Sequence, residues 1–263
     1  LCALLLASPA LAQQSDAWRA FADAVLTVEN GKGPPAEQKA RIEVALEALS
    51  KLPPDERQLE ACERLVLSVA GHANWIGEWD LAWGLMSDVE RRLADAGAEA
   101  EFRRQFCSFH MGQVCLNRGD LEQARTRLAK AEPELARAYR PGDRNLIILR
   151  HDLGNVAMRL RDYATAVSCY QRIVDATRDR GDLELVESLS QLGAARHFAG
   201  DLMGAFSAYE ERLELALRAL AEQRARQLSG VPALVRKRRL TAFLVRRGCG
   251  GAEVREVVDA LAS

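Results

Sequence analysis

The sequence predicts an all-α protein, and three observations lead to this prediction. Ala, Leu, Arg and Glu, which form helices readily, are abundant, whereas aromatic residues make up only 6% of the 263 residues. Apolar residues recur at helical spacing, as in the segment 16–29. Four segments repeat one short pattern with a period of about 40 residues. Because 48% of the chain is hydrophobic, we expect a packed core rather than disorder.

The charge balance excludes several classes of protein. The chain has 36 Lys and Arg against 37 Asp and Glu, so its net charge is −1. This balance argues against a generally basic nucleic-acid binder, and no nucleic acid is expected as a partner. No apolar run reaches the roughly 18 residues that a membrane-spanning helix needs.

The N-terminal segment resembles the apolar part of a secretory signal peptide. The chain begins at Leu1 rather than Met, so we expect a basic region to be missing before it. Ala10 and Ala12 fit the small-x-small rule and predict cleavage before Gln13. The alternative is the start of a buried helix. The signal peptide predicts export, most simply to a bacterial periplasm.

From about residue 55 onward, the chain repeats itself. Each repeat has a turn residue, an acid and a large apolar residue, followed by an Ala three positions later and another large apolar residue four positions after that. The four segments with this pattern are 77–86, 119–128, 161–170 and 200–209. A small residue precedes each turn by seven positions; these residues are Ala70, Gly112, Gly154 and Gly193.

This pattern predicts antiparallel helix hairpins. The small residue of the first helix lets the second helix approach closely, and we expect the Ala of the second helix to fill the facing gap. Glycine at the turn permits a positive φ, and the acid after it suits a helix N-terminus. One hairpin cannot bury its apolar faces alone, so neighbouring hairpins must stack.

The segments 111–128, 153–170 and 192–209 resemble tetratricopeptide repeats (TPR). Their period exceeds the usual ~34 residues, and is similar to the longer variety of kinesin light chains and some bacterial regulators. The resemblance covers about residues 55–220. It implies a right-handed α-solenoid of stacked antiparallel helix hairpins, with about twelve helices in all.

The pattern divides the chain into four parts. They are a signal peptide at 1–12, an N-terminal helical hairpin or cap at 13–53, a TPR-like array of about four repeats at 54–228, and a degenerate C-terminal hairpin or cap at 229–263.

We find no catalytic or metal-binding motif in the sequence, and we expect neither enzymatic activity nor a cofactor. The four histidines occur one per repeat and lack metal-ligand spacing, so we expect them to be solvated or to line the groove. Five cysteines follow the predicted cleavage site, and none forms a C-x-x-C pair. Four of them lie in apolar periodic stretches and predict buried thiols, although a disulfide remains the alternative.

The first helices of TPR hairpins line a concave surface, which the resemblance therefore identifies as the candidate binding groove. In this register the groove residues are Asn74, Phe109, His110, Gln113, Asn117, His151, Asn155, Arg159, Gln191 and Phe198. Asn and Gln carry both donors and acceptors, so they can hold an extended peptide by its backbone. The alternative is that this face is polar only because it is wet.

A basic cluster at 236–239, with Arg246 and Arg247, has two interpretations. It predicts either contact with an anionic surface or a nucleic acid, or a solvated face of a terminal helix. We therefore expect an exported, non-enzymatic scaffold that binds a protein or peptide through its concave surface. The alternative is the sensory or docking region of a longer protein with a protease-like, kinase or cyclase domain.

Overall fold

The computed structural model describes residues 15–57, 60–94, 96–97, 100–181 and 183–262. In these residues it contains thirteen α-helices and no β-strand. The helices are α1 Asp16–Asn30, α2 Pro35–Ser50, α3 Pro54–Arg57, α4 Glu60–Trp75, α5 Trp79–Ala94, α6 Glu101–Arg118, α7 Leu121–Ala138, α8 Arg144–Arg159, α9 Tyr163–Thr177, α10 Leu183–Phe198, α11 Leu202–Gln227, α12 Ala233–Val245 and α13 Gly251–Ala262. The predicted signal peptide at 1–12 lies outside the described residues.

The chain divides into two compact units, of which the first ends at Leu160 and the second begins at Arg161. In the first unit, α1 pairs with α2, α4 with α5 and α6 with α7, and each hairpin packs on the next. In the second unit, α9 packs on α10 and α10 on α11. The prediction of an all-α, TPR-like solenoid of stacked hairpins is thus confirmed.

The turns within the repeats show why the sequence pattern works. Gly77, Gly119 and Gly200 have φ of 88°, 88° and 84°, which glycine adopts without a steric penalty. The third repeat has Arg161 at this position, and its φ of 62° is the one positive value of a non-glycine residue in the described chain. The following Asp162 accepts a hydrogen bond at 3.2 Å from the backbone N–H of Thr165 and caps α9.

The close approach of paired helices differs from the prediction in one respect. A Cβ atom added to Gly112 would lie 2.8 Å from Cγ and Cδ2 of Leu128, and one added to Gly193 would lie 2.6 Å from Cε1 of Tyr209. The glycines therefore make room for the large residue that follows the Ala of the repeat pattern by four positions. The Ala itself, at 124 and 205, is buried but is not the residue that requires glycine.

The second unit ends in a long helix with two shorter helices packed against it. The C-terminal half of α11 packs on α12 and α13. Their shared core consists of Leu217, Ala221, Leu240, Leu244, Val254, Val257 and Val258. The basic cluster on α12 lies mostly in solvent, where Lys237 pairs with Asp259 and Arg247 stacks at 4.4 Å over the ring of Phe243.

The cysteines agree with the prediction of buried thiols. Cys62, Cys107, Cys115 and Cys169 are buried, Cys249 is half-buried, and none of the five forms a disulfide in the part of the chain that the structure describes. Burial raises the pKa of Cys62 to about 11 and that of Cys107 to about 12, so their reactive thiolate form is scarce at neutral pH.

Candidate functional site

A cavity of about 790 Å³ opens among the first helices of the hairpins in the first unit. Helix α4 provides one wall through residues spaced three or four apart, and α6 provides the facing wall. Most of the lining surface is apolar. The lining includes Glu29, Gln38, Glu60, Glu63, Arg64, Leu67, Ser68, His72, Trp75, Leu93, Phe102, Arg103, Phe106, His110, Tyr139 and Asn145.

Aromatic side chains form the largest apolar part of the cavity. Phe102 and Phe106 lie one helical turn apart on α6 and stack with ring centroids 6.0 Å apart. Tyr139, which follows α7, meets Phe102 edge to face at 5.8 Å. On α4, Trp75 is 72% exposed at the cavity rim although it is a large apolar residue. Exposed aromatic surface of this kind is typical of binding sites.

A charged cluster lies at the end of the cavity where α4 and α6 begin. Arg103 donates a hydrogen bond at 2.9 Å to Glu63, lies 3.9 Å from Glu60, and Glu60 also pairs with Arg64. Burial raises the pKa of Glu63, and the guanidinium of Arg103 opposes that rise. Two acids and two bases balance here, so this end attracts neither anions nor cations strongly.

Two histidines lie toward the opposite end of the cavity. His72 contacts the backbone oxygen of Ser68 through Nδ1 at 3.0 Å, and Ser68 donates to Glu29 at 2.7 Å. The Nδ1 atom of His110 lies 3.1 Å from the amide oxygen of Gln113. Burial lowers the pKa of His110 to about 4, so this ring is neutral at pH 7.

The groove residues predicted from the sequence form a polar ladder across α4, α6 and α8. Asn117 donates to the side-chain oxygen of Asn74 at 3.0 Å. Gln113 donates to Asp152 at 2.9 Å, so its amide oxygen is free to accept from His110. Burial raises the pKa of Asp152, and the hydrogen bond from Gln113 opposes that rise.

The ladder continues along α8. His151 and Asn155 lie 3.1 Å apart, one helical turn from each other. Arg159 is exposed and donates to the backbone oxygen of Leu116 at 3.3 Å. Gln113, Asn117 and Arg159 therefore tie neighbouring first helices together, a function that the sequence did not suggest for them, whereas the contact between His151 and Asn155 lies within α8.

The three remaining predicted groove residues, Phe109, Gln191 and Phe198, differ in burial and in the unit to which they belong. Phe109 is only 1% exposed and packs in the interior beside Phe106, so its side chain does not face a ligand. Gln191 is half-buried and Phe198 is exposed, and both belong to the second unit. Phe198 stacks on Tyr163 with ring centroids 5.6 Å apart. Of the ten predicted residues, His110 is the one that lines the cavity.

The sequence analysis does not predict the aromatic wall, by which we mean Phe102, Phe106 and Tyr139. Phe102, Phe106 and His110 are spaced four residues apart and share one face of α6, a signal that was readable in the sequence. Tyr139, in the connection between α7 and α8, also lines the cavity and accepts a hydrogen bond at 3.3 Å from Asn145 in the first turn of α8; neither residue belongs to the repeat signature.

The described residues contain no cluster of three or more His, Cys, Asp or Glu side chains arranged to hold a metal ion. A search of the same residues finds no helix that is both long and apolar enough to cross a membrane.

Comparison with known proteins places the fold. No protein-family model and no curated protein matches the chain. Among solved structures, a Podosopora anserina protein described as a kinesin light chain with nearly identical TPR-like repeats matches with a TM-score of 0.61 at 14% identity, over 77% of this chain and 95% of the other.

Two further solved structures are similar. The apo form of RapI matches with a TM-score of 0.62 at 10% identity, over 89% of this chain and 84% of the other. MamA from Desulfovibrio magneticus RS-1 matches with a TM-score of 0.55 at 15% identity, over 77% and 96% of the two chains. The fold is therefore that of helical repeat proteins. Within that class it is the TPR-like fold.

Proposed function

We propose that this protein is a non-enzymatic scaffold that binds a segment of a partner polypeptide, whose apolar side chains enter the cavity of the first unit. The observation that carries the proposal is the aromatic wall of that cavity. The cavity has a volume of about 790 Å³, which lies within the range of ligand sites, roughly 300–1,000 Å³. The TPR-like fold, which suits protein interaction, supports the proposal.

The chemistry of the lining favours an apolar segment over a charged ligand. The acids Glu60 and Glu63 are balanced by Arg64 and Arg103. Glu29 is the one further carboxylate of the lining and already accepts a hydrogen bond from Ser68, so the lining has no concentration of charge that would select an ion. Apolar side chains gain about 25 cal/mol for each Å² of apolar surface that they remove from water. Hydrogen-bonding groups at the rim can then orient the backbone of the segment.

Replacing Trp75 with Ala tests the proposal. This side chain is 72% exposed, so its loss should leave the fold intact while it removes a large apolar surface from the cavity rim. The matched control is Trp79→Ala, because Trp79 is also exposed and does not line the cavity. The partner is first identified by capture on the wild-type protein, and its affinity for each variant is then measured by calorimetry.

We expect Trp75→Ala to weaken binding about tenfold or more, and Trp79→Ala to leave it unchanged. Equal binding by all three proteins would exclude the cavity. A third variant in which Asn155 and Arg159 are both changed to Ala reports whether the segment also follows the polar ladder of α8.

We further propose that the protein is exported to a bacterial periplasm, as the segment 1–12 predicts. The buried thiols of Cys62, Cys107 and Cys115 are compatible with such a compartment, because burial raises the pKa of each and slows its oxidation. N-terminal sequencing of the protein recovered from a periplasmic fraction should begin at Gln13. Recovery from the cytoplasm with residues 1–12 intact would exclude export.

A further inference from the structure

Helix α11 carries an exposed apolar stripe that differs from the site described above. Leu202, Phe206, Tyr209 and Leu213 are spaced by four, three and four residues, which is the spacing of the contact seam in a coiled coil. Phe206 is 59% exposed, Leu213 is 68% exposed, and the neighbouring Met203 is 80% exposed. A seam with this spacing normally faces another helix.

The apolar face of α11 is exposed only in the N-terminal half of the helix, where the stripe lies. Toward the C-terminal end of α11, Leu217 and Ala221 are buried against Leu240, Leu244 and Val258 of α12 and α13. The stripe from Leu202 to Leu213 precedes this covered half and remains exposed in the described chain.

We propose that α11 pairs with α11 of a second copy of this chain, in antiparallel orientation. A two-fold axis between residues 207 and 208 would place Leu202 opposite Leu213 of the second copy. It would also place Phe206 opposite Tyr209 of the second copy. Both contacts then join an a position to a d position, as antiparallel coiled-coil packing requires.

The covered half of α11 decides the orientation. In a parallel pair the two copies of α12 and α13 would meet at the same end of the seam and compete for the same space. In the antiparallel pair, each copy's covered half, which begins near Leu217, extends past the start of the other copy's helix. The antiparallel pairing therefore places the two terminal hairpins at opposite ends of the seam.

The charges beside the seam are compatible with this pairing. In the antiparallel register, Met203 faces Glu210 of the second copy, and Ala205 faces Arg212 of the second copy. No like charges oppose each other at the e and g positions. A self-pairing helix with repulsive flanks would not associate.

The exposed area also fits a dimer. The four apolar side chains of the stripe, together with the neighbouring Met203, expose on the order of 600 Å² per copy, against about 800 Å² per partner in a standard interface. An exposed apolar patch of this size is at the upper limit for monomeric proteins, which is roughly 300–600 Å².

Sedimentation velocity of the full chain from about 1 to about 100 μM tests the pairing. The wild type should dimerise within this range, and the double variant Phe206→Glu, Leu213→Glu should remain monomeric. The matched controls are Leu183→Glu and Leu234→Glu, because both residues are highly exposed and neither lies on the seam. A monomeric wild type at the highest concentration, or a seam variant that still dimerises, would overturn the proposal.

A charge test at one position distinguishes self-pairing from binding of a different partner. Met203→Lys should tighten the dimer severalfold, because Lys would face Glu210 of the second copy, whereas Met203→Glu should weaken it. The opposite order, or no difference between the two, would exclude the register.

Cross-linking then tests the orientation. In a background with Cys249→Ser, protein with Leu202→Cys is mixed with protein with Leu213→Cys. Antiparallel pairing predicts disulfides between the two different variants. Disulfides that join two copies of the same variant would instead show parallel pairing and overturn the proposal.

Discussion

The two units have the same hairpin pattern, but the large residue that packs against the small residue of the hairpin is buried in one unit and partly exposed in the other. In the first unit, the large residue opposite the small one is Leu128, which is completely buried under Gly112. In the second unit it is Tyr209, which lies over Gly193 and is 38% exposed. The same signature therefore fixes the hairpin in both units, while the neighbouring helices decide whether its outer side is core or surface.

The two units also differ in the electrostatic consequences of burying side chains. The first unit encloses Glu63, His110 and Asp152, and burial shifts the pKa of each toward the neutral form. In the second unit the notable feature is exposed apolar surface on α11. We therefore expect the first unit to respond to pH and the second to respond to protein concentration. All four tryptophans, at positions 18, 75, 79 and 83, belong to the first unit, so their fluorescence reports on that unit alone.

The largest expected effect concerns His110. Its pKa is about 4 in the folded protein against the usual 6.5, so below pH 6.5 the unfolded chain binds a proton that the folded chain does not. Stability of the first unit should thus fall as the pH falls from 6.5 to about 4, by up to about 3 kcal/mol. In His110→Leu this pH dependence should be lost, although the variant also loses the contact with Gln113.

Urea melts followed by tryptophan fluorescence at pH 7 and pH 4 measure this difference. The control is His197→Leu, whose exposed side chain lies in the second unit, and its melts are followed by far-UV circular dichroism, which reports on both units. If wild type and His110→Leu lose the same stability on acidification, the ring of His110 is not desolvated in the folded protein.

The next effect directly compares the two units. Gly112→Ala should destabilise the first unit by about 1–3 kcal/mol, because the new methyl group would overlap Leu128, which is enclosed on all sides. Gly193→Ala should cost less than about 1 kcal/mol, because the half-exposed ring of Tyr209 can move outward and Ala favours the helix.

Fluorescence melts measure the first variant, and far-UV circular dichroism melts measure the second. Equal losses in the two variants would mean that the outer side of Tyr209 is as confined as that of Leu128. That result would also imply that α11 is covered in solution, which the dimer proposal predicts only above the concentration at which the chain dimerises.

The comparison also shows which features the sequence could predict. The turns at Gly77 and Gly119 and the hairpins around them follow from short-range patterns, and both were predictable. The cavity was not, because Tyr139 and Phe106 are brought together by the packing of separate helices. The choice between Phe106 and Phe109 also depends on helix crossing, since either residue could face the groove from its spacing alone.

The sequence predicts several residues of the polar ladder, but it does not predict which residues they contact. Gln113 and Asn117 are predicted as groove residues because the TPR register places their helix face on the inner surface of the repeats. Their partners Asp152 and Asn74 lie 39 and 43 residues away, one repeat along the chain in either direction. A repeat period of about 40 residues places such pairs side by side, so a polar residue at one groove position should be examined with its counterpart one period away.

The smallest expected effect concerns Asp152 in this ladder. Burial raises its pKa above the usual 3.8, so between 3.8 and the higher folded value the folded chain binds more protons than the unfolded chain. Stability therefore falls as the pH rises through this window, and the loss persists at neutral pH. Asp152→Asn removes the buried charge while its side-chain oxygen can still accept from Gln113.

We expect Asp152→Asn to stabilise the first unit at pH 7 by up to about 1 kcal/mol and to leave it unchanged near pH 3. Burial of Asp152 makes the first unit less stable as the pH rises, whereas burial of His110 makes it less stable as the pH falls. The two variants therefore separate the contributions of two buried groups that both contact Gln113. The exposed Asp175 of the second unit, which accepts a hydrogen bond from Gln171 at 2.8 Å, provides the control Asp175→Asn. If Asp152→Asn destabilises the first unit at pH 7, the hydrogen bond from Gln113 and the other surroundings stabilise the carboxylate of Asp152 by more than burial opposes it.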